Sequence, residues 1–152
     1  MDKNAAMINS ISYKQLYEEK RLKWYAANRP NAVACNLVPV VKFPKVETAN
    51  GLTTFIENYI IWDGYRATRI SSSGRVVGGK YIKGRTRKGA ADLSATINGR
   101  SAMFEVKVGK DKPSEYQLRE QQMERAACGI YEFIYTPEQF IEVYNKILRN
   151  EL

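Results

Sequence analysis

Residues 88–108 read KGAADLSATINGRSAMFEVKV, and this stretch contains the clearest structural signal in the chain. Asn98-Gly99 lies between two runs in which apolar and polar residues alternate, and Asn-Gly is the strongest short-range signal for a two-residue type I′ turn. The pattern predicts antiparallel strands over 91–97 and 100–108. Because such a turn has only two residues between the strands, its position fixes which residues pair along the whole hairpin.

The predicted register places two acidic side chains opposite each other. Ile97 faces Arg100 next to the turn, and by the same register Asp92 faces Glu105. Directly opposed side chains have Cβ atoms about 4.5–5.5 Å apart, where like charges repel. Two carboxylates so placed need a cation or a shared proton between them. Lys107 lies two residues after Glu105 and shares its face of the strand.

The residue types of this cluster suit a cation site next to a phosphate ester. Asp92 and Glu105 would hold a divalent cation, together with the backbone carbonyl of Val106 and water. Lys107 would orient an attacking water or stabilise charge that develops on phosphate oxygens. The alternative is a cross-strand surface cluster in which Lys107 neutralises the two acids.

Composition restricts the chemistry further. The 152 residues include no histidine and only two cysteines, Cys35 and Cys128, which are far apart in sequence. This excludes Cys/His zinc sites, Ser-His-Asp triads and histidine general bases. Any metal must be bound by oxygen ligands, which favours Mg²⁺ or Mn²⁺.

Basic residues are concentrated on both sides of the carboxylates. The formal net charge is +8. One basic group precedes Asp92 and another follows Glu105; together they comprise Arg75, Lys80, Lys83, Arg85, Arg87, Lys88, Lys107, Lys110 and Lys112. Such a distribution indicates a polyanionic partner, the alternative being a merely soluble basic surface.

The first 50 residues differ in pattern from the rest. An amphipathic helix over 12–28, with Ser12 as its N-cap, is followed by a proline-containing stretch over 30–50 with room for one edge strand. We therefore divide the chain into an N-terminal helix and extended arm, residues 1–50, outside the core, and a main domain, residues 51–152.

The main domain has the pattern of an α/β (α+β) fold with a mixed central β-sheet flanked by helices. The predicted elements begin with a helix over 52–63, with Thr53 or Thr54 near its cap and Gly64 at its end. Strands over 65–71 and 75–82, a basic loop over 84–89 and the hairpin follow. A helix from Ser114 to Gly129, a strand over 130–135 and a last helix from Thr136 complete the domain. Ser114 with Gln117 and Thr136 with Gln139 have the spacing of capping boxes.

These motifs resemble the PD-(D/E)XK nuclease superfamily, and within it the VRR-NUC group found in phage and bacterial proteins and in a eukaryotic repair nuclease. The resemblance covers about residues 52–148. The matching residues are Gly89, Asp92, Leu93, Glu105, Val106, Lys107, Gln117 and Gly129. Ala91 stands where the superfamily often has proline.

The resemblance implies a restriction-endonuclease-like core and a Mg²⁺- or Mn²⁺-dependent deoxyribonuclease without a small-molecule cofactor. It adds Glu57 on the first core helix as an acidic site residue, the alternative being an ordinary solvent-facing glutamate. It adds Gln117 as a catalytic or phosphate-contacting residue, and one side chain is not expected to serve both this role and the capping box.

Stand-alone members of this size often resemble Holliday junction resolvases and act as homodimers, so the resemblance implies a homodimer that acts on DNA in repair, recombination or phage DNA processing. The residues expected to bind backbone phosphates are Lys80, Lys83, Arg85, Arg87, Lys88, Lys110 and Lys112. Arg69 is expected either in the same groove or in a surface salt bridge. The alternatives are a nucleic-acid-binding protein with a non-cutting core and a restriction-type duplex endonuclease.

Hydropathy indicates the location of the protein. No apolar run approaches the ~20 residues needed to cross a bilayer, and no apolar signal-peptide core follows Met1. We therefore expect a cytoplasmic protein, in a bacterial or phage-infected cell, with no membrane partner.

Overall fold

The computed structural model describes residues 12–70, 75–82 and 87–152. The start of the predicted arm and the first half of the predicted basic loop lie outside these ranges. The described helices are α1 (Tyr13–Asn28), α2 (Pro30–Ala34), α3 (Ala49–Trp62), α4 (Glu115–Ala126) and α5 (Pro137–Leu148). None of these described helices combines the length and the apolar character needed to cross a membrane.

The described strands are β1 (Arg66–Arg69), β2 (Arg75–Val77), β3 (Lys80–Ile82), β4 (Leu93–Ile97), β5 (Arg100–Val106) and β6 (Ile130–Ile134). Four of them form one mixed sheet in the spatial order β1-β4-β5-β6. The first two pairings are antiparallel, and β5 pairs with β6 in parallel. Helix α4 connects the two parallel strands, as a parallel pairing requires. The predicted mixed sheet flanked by helices is confirmed.

The Asn98-Gly99 turn has the predicted geometry. Both residues have positive φ, 50° and 77°, which is the requirement of a type I′ turn. Ile97 pairs with Arg100, and the ladder continues in the predicted register to Leu93 opposite Phe104. Strand β4 begins at Leu93, so Asp92 directly precedes the last described pair.

The core is built on one face of the sheet. Leu93, Ala95 and Ile97 of β4 are all buried there, and α3 and α5 pack among the same residues. Phe140 of α5 lies at the centre, with its ring centroid 5.6 Å from that of Phe104 in an edge-to-face arrangement. Each aromatic pair of this kind contributes about 0.5–1.5 kcal/mol beyond the burial of its area. The opposite face of β4 and β5 is therefore the one that carries the polar residues.

Helix α1 shares this core. Tyr17 is 2% exposed, and its ring stacks on Phe55 with centroids 4.9 Å apart. Its hydroxyl accepts a hydrogen bond from Asn58 Nδ2 at 2.9 Å, and Lys20 forms an ion pair with Asp63. The placement of residues 1–50 outside the core is therefore wrong for α1, whereas the boundary at residue 50 stays a prediction.

The segment between α1 and β1 differs from the prediction at two points. Within the segment 30–50, Pro30–Ala34 form the short helix α2, and residues 35–48 contain no strand. Helix α3 begins at Ala49 with Thr48 as its N-cap, before the predicted cap at Thr53 or Thr54. Thr48 Oγ1 accepts from the backbone N–H of Gly51 at 3.1 Å, and this cap stabilises a first turn that contains two residues of weak helix propensity, Asn50 and Gly51.

Two other element ends are also different. The strand predicted over 75–82 is divided into β2 and β3 by a turn at Gly78-Gly79, where both residues have positive φ. Helix α4 ends at Ala126, and Cys128, not Gly129, occupies the left-handed conformation, at φ 60°. A Cβ at Gly129 would lie 2.3 Å from Glu124 Oε1, but this is the end of a flexible side chain that can move aside, so the contact alone does not require glycine.

The helix caps agree with the sequence in part. Ser12 and Ser114 cap their helices as predicted. Thr136 also caps α5, with its side chain accepting from the backbone N–H of Gln139 at 3.2 Å. The second half of that predicted capping box is wrong, because Gln139 Oε1 accepts instead from the N–H of Tyr135.

Because several tyrosines are buried, we expect the fold to lose stability at alkaline pH. Burial raises the pKa of the Tyr59 hydroxyl to about 12 and raises the pKa of Tyr17, Tyr131 and Tyr144 as well. Unfolded tyrosine ionises near pH 10, so above that pH the unfolded chain releases protons that the folded chain keeps, and the free energy of unfolding falls. Each such tyrosine lowers it by about 1.4 kcal/mol per pH unit between its two pKa values.

Urea unfolding at pH 8.5 and near pH 11, followed by circular dichroism, measures this loss. In the Tyr144→Phe variant, the free energy of unfolding should fall less between the two pH values than in wild type, because one titrating group is removed. An equal fall in wild type and variant would contradict the assignment of this effect to Tyr144.

Candidate active site

Asp92 is held at the start of β4 by contacts to both neighbouring strands. Its backbone carbonyl accepts from the N–H of Ile70 at 2.8 Å, which continues the pairing with β1. Its side-chain Oδ2 accepts from the backbone N–H of Val106 at 2.9 Å. The half-buried carboxylate is thereby fixed beside the end of β5, where Glu105 and Lys107 are located.

Glu105 is 6% exposed, and its two oxygens have different surroundings. Oε1 accepts from Gln117 Nε2 and lies 3.1 Å from Lys107 Nζ. Oε2 is buried and has no hydrogen-bond partner among the described residues. Burial and the nearby carboxylate of Asp92 raise the pKa of Glu105. An acidic oxygen in this situation favours a proton or a cation at that position.

Lys107 is as deeply buried as Glu105, at 5% exposed. Its ammonium lies between Glu105 Oε1 and Asp111 Oδ2, the latter 3.4 Å away. Burial opposes the charged form, but the two carboxylates more than offset it and raise the pKa of Lys107. Sequence reasoning missed Asp111, because a spacing of four residues predicts a side-chain contact only on a helix and residues 107–111 form no helix.

Gln117 uses both ends of its amide. Its Oε1 accepts from the backbone N–H of Ser114 at 2.9 Å and completes the predicted capping box of α4. Its Nε2 donates to Glu105 Oε1. A catalytic or phosphate-contacting role for Gln117 stays a prediction. The start of α4 is thus linked directly to the carboxylate of Glu105.

Gly89 and Tyr131 join the loop before Asp92 to the same assembly. The Tyr131 hydroxyl, which sequence reasoning missed, donates to the Gly89 carbonyl at 3.1 Å. The Cα of Gly89 faces the backbone of Tyr116 so closely that a Cβ would lie 2.4 Å from the Tyr116 oxygen. The loop therefore packs on the first turn of α4, next to Gln117.

Glu57 is not brought into this group. Its Oε2 accepts from Arg69 Nε at 2.8 Å, and Arg69 also donates to Asn50 and Thr54 on α3. Among residues 12–70, 75–82 and 87–152, no three acidic or cysteine side chains are grouped as a metal site. For Arg69 the structure agrees with the stated alternative of a surface salt bridge, whereas Glu57 is the partner in that salt bridge and not an ordinary solvent-facing glutamate.

The predicted phosphate-binding residues are partly described. Arg87 pairs with Glu120 at 3.1 Å, and Lys88 lies over the ring of Tyr116, 5.0 Å from its centroid. Both contacts align the end of the basic loop with α4. Lys80, Lys110 and Lys112 are exposed. The predictions for Lys83 and Arg85 lie outside the described residues.

The oxygen donors of the site fit a divalent cation. Glu105 Oε2 is a buried acceptor without a partner among the described residues, and the Asp92 carboxylate lies close enough to raise the pKa of Glu105. Asp92 also lines a cleft of about 310 Å³ with residues of α3 and β1. Two carboxylates with only oxygen donors fit Mg²⁺ or Mn²⁺, completed by water. The backbone carbonyl of Val106 stays a predicted ligand.

Comparison with known proteins gave no match for this chain: no protein-family model, no curated protein and no solved structure is similar to it at a significant level. The class of protein must therefore be inferred from the site itself.

Proposed function

We propose that this protein is a Mg²⁺- or Mn²⁺-dependent DNA endonuclease that hydrolyses phosphodiester bonds on a restriction-endonuclease-like core. One observation carries the proposal. Glu105 Oε2 is buried without a partner among the described residues, in a group that also contains Asp92 and Lys107. A structural salt-bridge cluster would use both oxygens, because an unpaired buried acceptor costs about 1–3 kcal/mol.

The residues of the group have distinct roles in this proposal. Asp92 and Glu105 would hold the cation, which would supply polarisation of the scissile phosphate and a lowered pKa of a water molecule. The Lys107 ammonium stabilises the negative charge that develops on phosphate oxygens. Gln117 keeps Glu105 in one orientation by donating to Oε1.

The resemblance of the motifs supports the proposal, because the structure brings Gly89, Asp92, Glu105, Lys107 and Gln117 into one region through successive contacts. The basic residues near this region would bind the phosphate backbone without reading sequence. Selectivity for branched, flapped or junction DNA, action as a homodimer and a role in DNA repair, recombination or phage DNA processing belong to the same proposal.

A second candidate function is a nucleic-acid-binding protein that does not cut. It is favoured by the contact of the Lys107 ammonium with Glu105 Oε1 at 3.1 Å, because this salt bridge already neutralises the carboxylate without a cation. Under this hypothesis the basic surface would bind DNA in a salt-dependent manner, and no divalent cation would lead to cleavage.

A cleavage panel tests the proposal. Purified protein is incubated with labelled junction, flap, splayed, single-stranded and linear duplex DNA in Mg²⁺, Mn²⁺ or EDTA. We expect cation-dependent products, most from the branched or flapped substrates. Salt-dependent binding of all substrates with no product in either cation would favour the second candidate. Products at one site on linear duplex would indicate a restriction-type enzyme.

A further inference from the structure

The Lys107 ammonium is shared between two carboxylates in different environments. Glu105 is almost completely buried, whereas the Asp111 side chain is 56% exposed at the surface. The ammonium lies 3.1 Å from Glu105 Oε1 and 3.4 Å from Asp111 Oδ2. The ammonium therefore contacts one buried carboxylate that belongs to the site and one carboxylate at the surface.

Backbone contacts fix both partners in this arrangement. The N–H of Lys107 donates to the carbonyl of Ile134 at 2.9 Å, which holds this residue against β6. The N–H of Asp111 donates to the carbonyl of Val108 at 3.2 Å in a turn where Gly109 has φ 61°. This turn returns the chain so that the Asp111 carboxylate reaches the ammonium.

The contact matters because of the unpaired oxygen of Glu105. If Asp111 were removed, the nearest carboxylate left for the Lys107 ammonium would be that of Glu105, whose Oε2 has no partner among the described residues. A buried ammonium needs a carboxylate partner, so it would move toward this oxygen. It would then occupy the place of the cation.

We propose that Asp111 is a positioning residue that holds the Lys107 ammonium away from Glu105 Oε2, so that this oxygen stays free for the divalent cation. This inference rests on the proposed function. It assigns to Asp111 an indirect effect on cation affinity that acts only through Lys107. Asp111 itself binds neither the cation nor the substrate.

The experiment measures Mn²⁺ affinity by isothermal titration calorimetry on the full chain without DNA. We expect Asp111→Ala to raise the Kd about tenfold, as the loss of residues that orient metal-site side chains commonly does. Asp111→Glu keeps the carboxylate and should restore most of the affinity. Glu142→Ala is the matched control, because it removes another carboxylate that pairs with a lysine four residues away, Lys146. Circular dichroism shows whether each variant is folded.

The Asp111→Ala substitution in a Lys107→Met background shows whether Asp111 acts on the cation through the Lys107 ammonium or directly. Without the ammonium there is nothing to displace the cation, so Lys107→Met should bind Mn²⁺ at least as tightly as wild type. Adding Asp111→Ala should then change nothing. Equal weakening by Asp111→Ala in both backgrounds would mean that Asp111 acts on the cation directly, and the inference would be overturned.

Failure of the inference is distinguishable from failure of the proposed function. Wild-type protein that binds Mn²⁺ and cuts DNA, together with an Asp111→Ala variant of unchanged affinity, would overturn the inference alone. Wild-type protein that binds no Mn²⁺ would overturn both.

Discussion

Replacing Asp92 by asparagine is expected to abolish DNA cleavage while the protein remains folded. The amide oxygen can still accept from the backbone N–H of Val106, which now binds Oδ2. The negative charge next to Glu105 Oε2 is lost, and with it the binding of the cation. A bound cation contributes several kcal/mol to such a reaction. The expected loss of activity is therefore on the order of 10³-fold or more.

Thermal unfolding tests the same variant without any activity measurement. For wild type, Mn²⁺ at about 100 times its Kd should stabilise the fold by about 2.7 kcal/mol. For a chain of this length this raises Tm by roughly 5–10 °C. Asp92→Asn should show no such increase and should still bind DNA through the basic residues. The matched acid-to-amide control is Glu142→Gln on the exposed side of α5, which should behave as wild type.

Replacing Gly89 by alanine is expected to reduce both stability and activity. Gly89 has φ 84°, and a Cβ would lie 2.4 Å from the Tyr116 oxygen and 2.9 Å from the Gln117 nitrogen. Both are backbone atoms, so the loop and the first turn of α4 must move apart. Left-handed strain and this displacement together cost about 2–5 kcal/mol. A displacement of about 1 Å at Gln117 or Asp92 would lower cleavage about 10²-fold.

The Gly64→Ala variant separates the effect of left-handed strain from the effect of the close packing on α4. Gly64 has a nearly identical φ of 89°, but a Cβ at this position would meet no atom of another residue within 4 Å. Only the left-handed strain remains, which costs about 1–2 kcal/mol and leaves the site in place. Urea unfolding and the cleavage assay, applied to both variants, give the comparison. If Gly89→Ala were no more destabilised than Gly64→Ala, the close packing of the loop on α4 would be contradicted.

The hairpin could be predicted from sequence because its determinants are local. Asn98-Gly99 fixes the turn, and the alternation on both sides fixes which residues are buried. The register then places Asp92, Glu105 and Lys107 on the same face without knowledge of the rest of the fold. The capping box at Ser114 is local in the same sense, since it lies within four consecutive residues.

Other features could not be predicted because they depend on tertiary contacts. The burial of Tyr17 depends on Phe55, which lies on a different helix. The Gln117 amide nitrogen meets Glu105 only because the tertiary fold places the start of α4 next to this residue, so the capping signal gave no indication of this second contact. For Glu57, the resemblance implied a site residue on the first core helix. Its contact with Arg69 could not be predicted, because it forms only when β1 is paired in the sheet.

The most direct measurement is the cleavage of labelled flap and junction DNA by wild-type and Asp92→Asn protein, prepared in parallel, in Mn²⁺ and in EDTA. We expect products for wild type in Mn²⁺ alone, and none for Asp92→Asn in either condition. Equal cleavage by both proteins in Mn²⁺ would show that Asp92 and Glu105 do not form the active site.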